Sequence, residues 1–335
     1  MSPTPPAGEQ GVNKVTSVDT AALTSAMRTA IRTSDVRLSK FNPLPRILTL
    51  DDFNEGTNGW TELIGNFNGR GDLDTVDAHM RDFRPPQLSN ATFFDTGTHG
   101  AMTGTYSLKL ATRAHPGHTS TAIRRLTMAG RGRLQIEAYL TYKAEAQLGG
   151  EESDDQYGGV EWDGNLHPSE AQFGAFTVAT DLCGDGGIRY HTVARFQNTD
   201  TDGNLVRRLS YPLVTEPTPK EHLEGKFALP YAADFTAPDP DDWRYLGDPI
   251  EMCFNEVPTK VNWHYLRWVI DTETRTNVEF QLNDRLIDMR DVPVPAYDEP
   301  YESLDNLLNF YFSVRTLSGV RNFLYLDSVV ISADW

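Results

Sequence analysis

Glu137 and Glu279 are the side chains whose placement matters most for chemistry in this chain. Each falls on the polar side of a segment in which apolar and polar residues alternate with period two, as in a strand with one face in a core. Glycoside hydrolysis uses such a pair, one carboxylic acid kept protonated and one carboxylate as nucleophile or base. A separation of about 5–5.5 Å predicts retention and about 6.5–9.5 Å inversion. Arg195 or Arg267 beside one carboxylate would hold it charged, while poorer solvation keeps the other protonated. A second set, His191, Tyr311, Arg195 and Gln135, suits proton abstraction: Arg and Gln neutralise a substrate carboxylate, and His or Tyr takes the adjacent proton.

Five segments must position these groups. In 134–141, Leu134, Ile136, Ala138 and Leu140 oppose Gln135, Glu137, Tyr139 and Thr141. In 189–197, Tyr190, Ala194 and Phe196 oppose Arg189, His191, Arg195 and Gln197. In 264–270, Leu266, Trp268 and Ile270 oppose Tyr265, Arg267 and Val269. In 278–283, Val278, Phe280 and Leu282 oppose Glu279, Gln281 and Asn283, and in 308–315 Leu308, Phe310, Phe312 and Val314 oppose Asn309, Tyr311, Ser313 and Arg315. Antiparallel sheets with one buried face give this pattern, and two such faces pack into a core. If the strands are neighbours, their polar sides converge on one concave surface. Rigid planar donors and acceptors beside an aromatic ring suit a polyhydroxylated ligand, because each hydroxyl both gives and takes a hydrogen bond. The expected ligand-positioning set is Gln135, Tyr139, Arg189, Arg195, Arg267, Gln281, Tyr311 and Arg315. Trp162, on an acidic loop with Glu161, Asp163 and His167, adds a stacking platform.

The rest of the chain supports an all-β reading. Short β-branched and aromatic runs separated by Gly, Pro, Asn and Asp predict strands over 46–53, 106–112, 121–128, 133–143, 172–182, 188–198, 205–212, 262–271, 277–283, 307–316 and 322–332. No strand alternates regularly with a helix, which argues against a doubly wound parallel sheet. Residues 1–45 read as a tail with a short helix over 18–32, N-capped by Asp19 and striped by Leu23, Met27 and Ile31. Residues 46–335 read as one sandwich domain with long loops at 144–170 and 213–250, and loops of that length are often functional.

Net charge is −17, a field that repels nucleic acid and acidic membrane surfaces. No apolar run reaches the ~20 residues of a spanning helix. The N-terminus has no apolar secretory core, so the expected location is cytoplasmic, or secreted if a leader has been removed. Cys183 and Cys253 do not make a disulfide framework, both read as inert buried thiols, and whether they pair is open. Oligomeric state is open too. No zinc spacing, phosphate loop or dinucleotide fingerprint is present.

Four stretches resemble known proteins. DDFNEGTNGW (51–60) resembles the opening strand and turn of carbohydrate-binding jelly rolls, GTYSLKL (104–110) an early strand, and LYLDSVVIS (324–332) the closing strand. WHYLRWVIDTETRTNVEFQLNDRLID (263–288) is similar to the strand–turn–strand core of concanavalin-A-like domains. The resemblance implies a two-sheet antiparallel jelly-roll sandwich with adjacent first and last strands. It also implies a structural calcium held by Asp51, Asp52 or Asn54, by Asp327, and by main chain near Lys109; hard oxygen ligands suit that ion. No cofactor for chemistry is implied. The leading expectation is a carbohydrate-active enzyme, a glycoside hydrolase or a lyase of polysaccharides or keto-glycosides, with Glu137, Glu279 and His191 as its catalytic groups. Sandwich-type polysaccharide lyases use a group like the His/Tyr/Arg/Gln set. The competing expectation is a non-catalytic lectin-like protein that binds a saccharide on the same face.

Overall fold

A computed structural model describes residues 20–62, 85–89, 101–145, 170–184, 187–212, 243–255, 261–298 and 305–335. It is a jelly-roll sandwich of two eight-stranded antiparallel sheets. The first sheet runs, in spatial order, β13 (Arg285–Asp288), β12 (Thr276–Leu282), β11 (His264–Asp271), β6 (Arg133–Ala144), β16 (Asn322–Ala333), β4 (Leu108–Ala111) and β3 (Gln87–Leu88). The opening strand β1 (Arg46–Asp51) pairs with the closing strand β16, as the resemblance implies. The second sheet runs β10 (Trp243–Leu246), β9 (Leu205–Pro212), β8 (Ile188–Thr199), β7 (Ala175–Cys183), β15 (Leu307–Arg315), β5 (Thr119–Thr127) and β2 (Trp60–Glu62), with β14 (Ala296–Asp298) on β8.

All eleven predicted strands form. The five that the sequence did not announce, β2, β3, β10, β13 and β14, are two to four residues long and lie at or near sheet edges. Runs that short carry almost no periodicity. The apolar parity holds: Leu134, Ile136, Trp268, Phe280, Phe310 and Phe312 are buried between the sheets. Trp268 meets Phe280 edge-on at 6.3 Å. One assignment shifts. The register breaks between Val269 and Ile270, so Ile270 pairs with Asn277 and not with Val278. Asn277, not Val278, is fully buried there, and its Oδ1 accepts from Thr192 of β8 at 2.7 Å. A polar bridge between sheets stands where the alternation placed a valine.

The β12–β13 turn shows how sequence sets register. Asn283 adopts φ 53°, a left-handed conformation that asparagine tolerates. Its Oδ1 accepts the Tyr265 N–H at 3.0 Å, tying the turn to β11.

Helix α1 (Thr20–Ser34) forms near its predicted span, but Leu23 and Met27 of its apolar stripe are exposed. No helix among the described residues is long and apolar enough to cross a membrane. Cys183 is buried, Cys253 is exposed, and neither forms a disulfide. The expectation of two buried thiols therefore holds only for the first.

Candidate functional site

The two expected carboxylates lie on the outward face of the first sheet, where a strap covers one of them. The strap is Asp35–Leu44. Asp35 caps a single 3₁₀ turn (Val36–Leu38) by accepting the Arg37 N–H at 2.9 Å. Pro43 and Pro45 then hold the chain extended. Asn42 N–H donates to Glu137 Oε1 at 2.7 Å, and Gln135 Nε2 donates to Asn42 O at 2.9 Å. Tyr139 O–H donates to Lys40 O at 3.2 Å, and Leu44 N–H to Ser332 Oγ at 3.0 Å. Tyr265 O–H donates to Glu137 Oε1 at 2.5 Å. Glu137 is 0% exposed, and its Oε2 has no partner among the described residues.

The expected acid/base pair is therefore corrected. Glu137 and Gln135 fasten a segment of this chain in place of a ligand. Glu279 is held by Arg267 Nη2 at 2.6 Å. Through Val269 it lies level with Gln135, two strands from β6, which separates the two glutamate Cα atoms by roughly 11–12 Å. Gln281 sits beyond Arg267 on β12. Burial pushes the Glu137 carboxyl up, against the lowering effect of its hydrogen bonds from Tyr265 and Asn42. A raised carboxyl favours the folded state below its unfolded value, and that contribution is lost as pH climbs through the folded one. Glu137→Gln is thus expected to gain stability relative to the parent as pH rises above the unfolded carboxyl value, near 4.3, read as urea midpoints at each pH. A difference that stays flat would mean that Glu137 is solvated and the strap open.

The other expected residues gather on the outward face of the second sheet, the opposite surface of the sandwich. One concave surface shared by both sets is therefore not what the fold builds. Period two reports inward or outward, and two sheets have two outward faces. On this face β8, β7 and β15 lie side by side. Asp181 is flanked in register by His191 and Asn309, Ala179 by Val193 and Tyr311, Thr177 by Arg195 and Ser313, and Ala175 by Gln197 and Arg315. The central strand carries small side chains, Ala175, Thr177 and Ala179. The taller rows on either side stand about 9–10 Å apart and flank β7 as the floor of a trough whose named side chains are all 9% exposed or less.

Two charged assemblies close the trough's ends. At one end Arg189 Nε and Nη2 donate to Asp181 Oδ1 and Oδ2, each at 2.7 Å, a bidentate fork. His191 Nδ1 lies 3.5 Å from Asp181 Oδ1, and Asn309 Nδ2 donates to Oδ2 at 3.4 Å. Burial pushes Asp181 up, but the His191 charge and the Arg189 hydrogen bond outweigh it and hold the carboxyl below its usual range. Toward the other end Arg195 turns over β9, donating from Nε to Ser210 Oγ at 3.2 Å, and its guanidinium carbon stacks 3.4 Å from the Trp243 ring centroid. Arg189, Arg195 and Arg315 are only 7–8% exposed. These guanidinium groups are fixed rather than solvated.

Asp181, Asn309 and Trp243 were not among the expected site residues. Asp181 sits in AFTVATDLC, too apolar on both sides for alternation to single it out. The WRYL alternation that makes β10 was the available signal for Trp243. Trp162, with Glu161, Asp163 and His167, lies outside the described residues, as do most positions of both long loops.

The expected calcium ligands do not form a set. Asp51 accepts from Trp60 Nε1 at 2.8 Å and Thr49 Oγ1 at 3.0 Å, and lies 3.3 Å from Arg124. Asp52 faces Arg37 at 3.3 Å, and Asn54 Oδ1 accepts the Thr105 N–H at 2.6 Å. Asp327 takes the Lys40 ammonium at 3.0 Å and the Met102 and Thr103 N–H groups at 2.8 and 3.0 Å. A lysine with two amide donors is an environment for a bare carboxylate, not for a cation. No cluster of three or more His, Cys, Asp or Glu placed to hold a metal occurs among the described residues.

The family model described as "Domain of unknown function (DUF6772)" matches residues 28–335. The chain belongs to that family. The match takes in the strap together with both sheets, so the DUF6772 unit includes the segment that fastens Glu137. No curated protein matches the chain. Among solved structures it is similar to the potassium-bound Emp46p carbohydrate recognition domain (9% identity, 83% of this chain and 98% of that one, TM-score 0.34). It is also similar to a legume lectin-like domain from Entamoeba histolytica (9% identity, 70% and 87%, TM-score 0.33). A third is a glycoside hydrolase family protein from Mycobacterium thermorestibile (11% identity, 85% and 100%, TM-score 0.36).

Proposed function

We propose that the outward face of the second sheet binds a saccharide along the β7 trough, and that His191 is its acid/base group. The row Arg189–Asp181–His191–Asn309 carries this reading. A buried carboxylate locked by a bidentate arginine is a rigid anchor, and it lies against one ring nitrogen of His191. Proton transfer then falls to Nε2, with Asp181 stabilising the imidazolium that forms. Tyr311, one register step along on β15, supplies a second proton-bearing group. Thr177, Ser313 and Gln197 offer hydroxyl and amide partners that both give and take hydrogen bonds, as sugar hydroxyls require.

A second reading is lectin-like recognition without turnover. Trp243 favours it, because an aromatic ring fixed by a stacked arginine is a recognition surface that needs no proton transfer. One experiment separates the two. Neutral and acidic oligosaccharides are screened against the full chain by calorimetry, with product analysis of each ligand that binds. The enzyme reading expects product from the parent and a fall of about 10²–10⁴-fold in kcat for His191→Ala, with binding largely kept. Binding without product from the parent selects the lectin reading. A panel in which nothing binds overturns both.

A further inference from the structure

Between the two sheets the core is interrupted by a group of polar side chains. Thr180 and Thr192 face each other in register on β7 and β8. Asn277 of β12 meets them from the first sheet, where its Oδ1 accepts from Thr192 Oγ1 at 2.7 Å. Trp268 of β11 is the diagonal neighbour of Asn277, because Ile270, two residues on, is the register partner of Asn277. All four side chains belong to residues 2% exposed or less. Asn277 Nδ2, Thr180 Oγ1 and Trp268 Nε1 have no hydrogen-bond partner among the described residues. Protein interiors satisfy nearly all such groups, and they use ordered water where the chain itself supplies no partner.

We infer that Asn277, Thr180 and Trp268 hold an ordered internal water between the two sheets. Register brings their side chains to one place. Opposed residues on adjacent strands stand about 5 Å apart at Cβ and diagonal ones about 7–8 Å, a gap that an indole spans. The bond to Thr192 sets the Asn277 amide beside Thr180. Ala194, the next inward residue on β8, is small and crowds the place little. The donor inventory matches one water molecule. Asn277 Nδ2 and Trp268 Nε1 can only donate, and a water accepts two such bonds. Its own two protons then go to Thr180 Oγ1 and to a free lone pair of Thr192 Oγ1. A cation is disfavoured by the two obligate donors. An anion would be a buried charge with no opposite charge beside it. The water would join β7 and β8 to β11 and β12. Thr192 is the chain neighbour of His191, so the same molecule would brace the strand that carries the proposed acid/base group, whatever the outward face binds.

Thr180→Val separates a hydrated interior from a dry one by the sign of its effect. In a dry core the Thr180 hydroxyl is an unpaired polar group, and valine in its place raises the melting temperature. A hydroxyl that holds the water makes the same change unfavourable, because the water loses a partner and binds the Asn277 and Trp268 donors less well. The expected result in the full chain is a fall of about 2–4 °C by scanning calorimetry. In an Asn277→Leu background, where the water has lost an anchor, Thr180→Val is expected to be neutral or stabilising. A crystal structure of the parent grown in sodium bromide gives a second readout that needs no variant to fold. A water peak is expected within hydrogen-bond distance of Asn277 Nδ2 and of Thr180 Oγ1 or Trp268 Nε1. A Thr180→Val variant that melts above the parent overturns the inference, as does a position with no peak. An anomalous bromide peak there gives the site to a halide and overturns it too.

Discussion

Replacing Asp181 with asparagine is expected to destabilise the protein by about 3–5 kcal/mol, the usual cost of leaving one partner of a buried ion pair behind. The side chains of Asp181 and Arg189 are 5% and 9% exposed, so water does not replace the lost charge. The amide would keep one acceptor for the Arg189 fork and turn its second group, an NH₂, toward another donor. Asn309 Nδ2 and the His191 ring would face the same mismatch. The change also alters pH dependence, and its sign follows from the carboxyl's lowered value. Such a group stabilises the fold above its unfolded value, near 3.9, and that contribution is lost as pH falls through the folded one. The parent should therefore lose stability as pH falls below about 4, and Asp181→Asn should lose less over that range, the remainder coming from other lowered carboxyls such as Asp35 and Asp200. Urea unfolding from pH 2.5 to 7 measures both effects. A cost below about 1 kcal/mol would mean that the cluster is solvated, since exposed pairs contribute no more than that. It would also remove the rigid anchor on which the His191 proposal depends.

Individual strands were far more legible than the surfaces they build. Alternation marked Leu134–Leu140 and Leu308–Val314 as core-facing because burial against a single layer imposes period two locally. It also marked Glu137 and His191 as outward, and both are. It carried nothing about sheet membership, which depends on pairings between residues far apart, such as β16 with β1 and β6. Two opposite faces therefore read as one. The strap was hidden for a related reason. Its contacts join Asn42 to Glu137 and Leu44 to Ser332, and no local pattern in SDVRLSKFNPLPR encodes partners that distant. Acids near both chain ends did meet strands that pair, but Lys40, on the strap, occupies the place the resemblance gave to calcium.

Phe41→Ala tests whether that strap is an integral layer of the fold. The ring is 1% exposed and clusters with Leu38 and Val330. It meets Tyr139 edge-on at 5.5 Å, and the Lys40 ammonium lies 5.6 Å from the Phe41 ring and 5.1 Å from that of Tyr139. A buried phenylalanine cut to alanine costs about 3–5 kcal/mol. Here the loss falls on a segment with few other apolar anchors, so the strap is expected to open before the sandwich unfolds. Faster exchange of the Asn42 and Leu44 amides, with β6 and β11 amides still protected, is the direct readout. Opening also hydrates Glu137, whose raised carboxyl depends on cover from above. In the Phe41→Ala background the pH-dependent gain of Glu137→Gln should therefore vanish. If it persists unchanged, the cover over Glu137 comes from the sheet itself, and the strap only decorates a carboxylate that burial within the sandwich had already displaced.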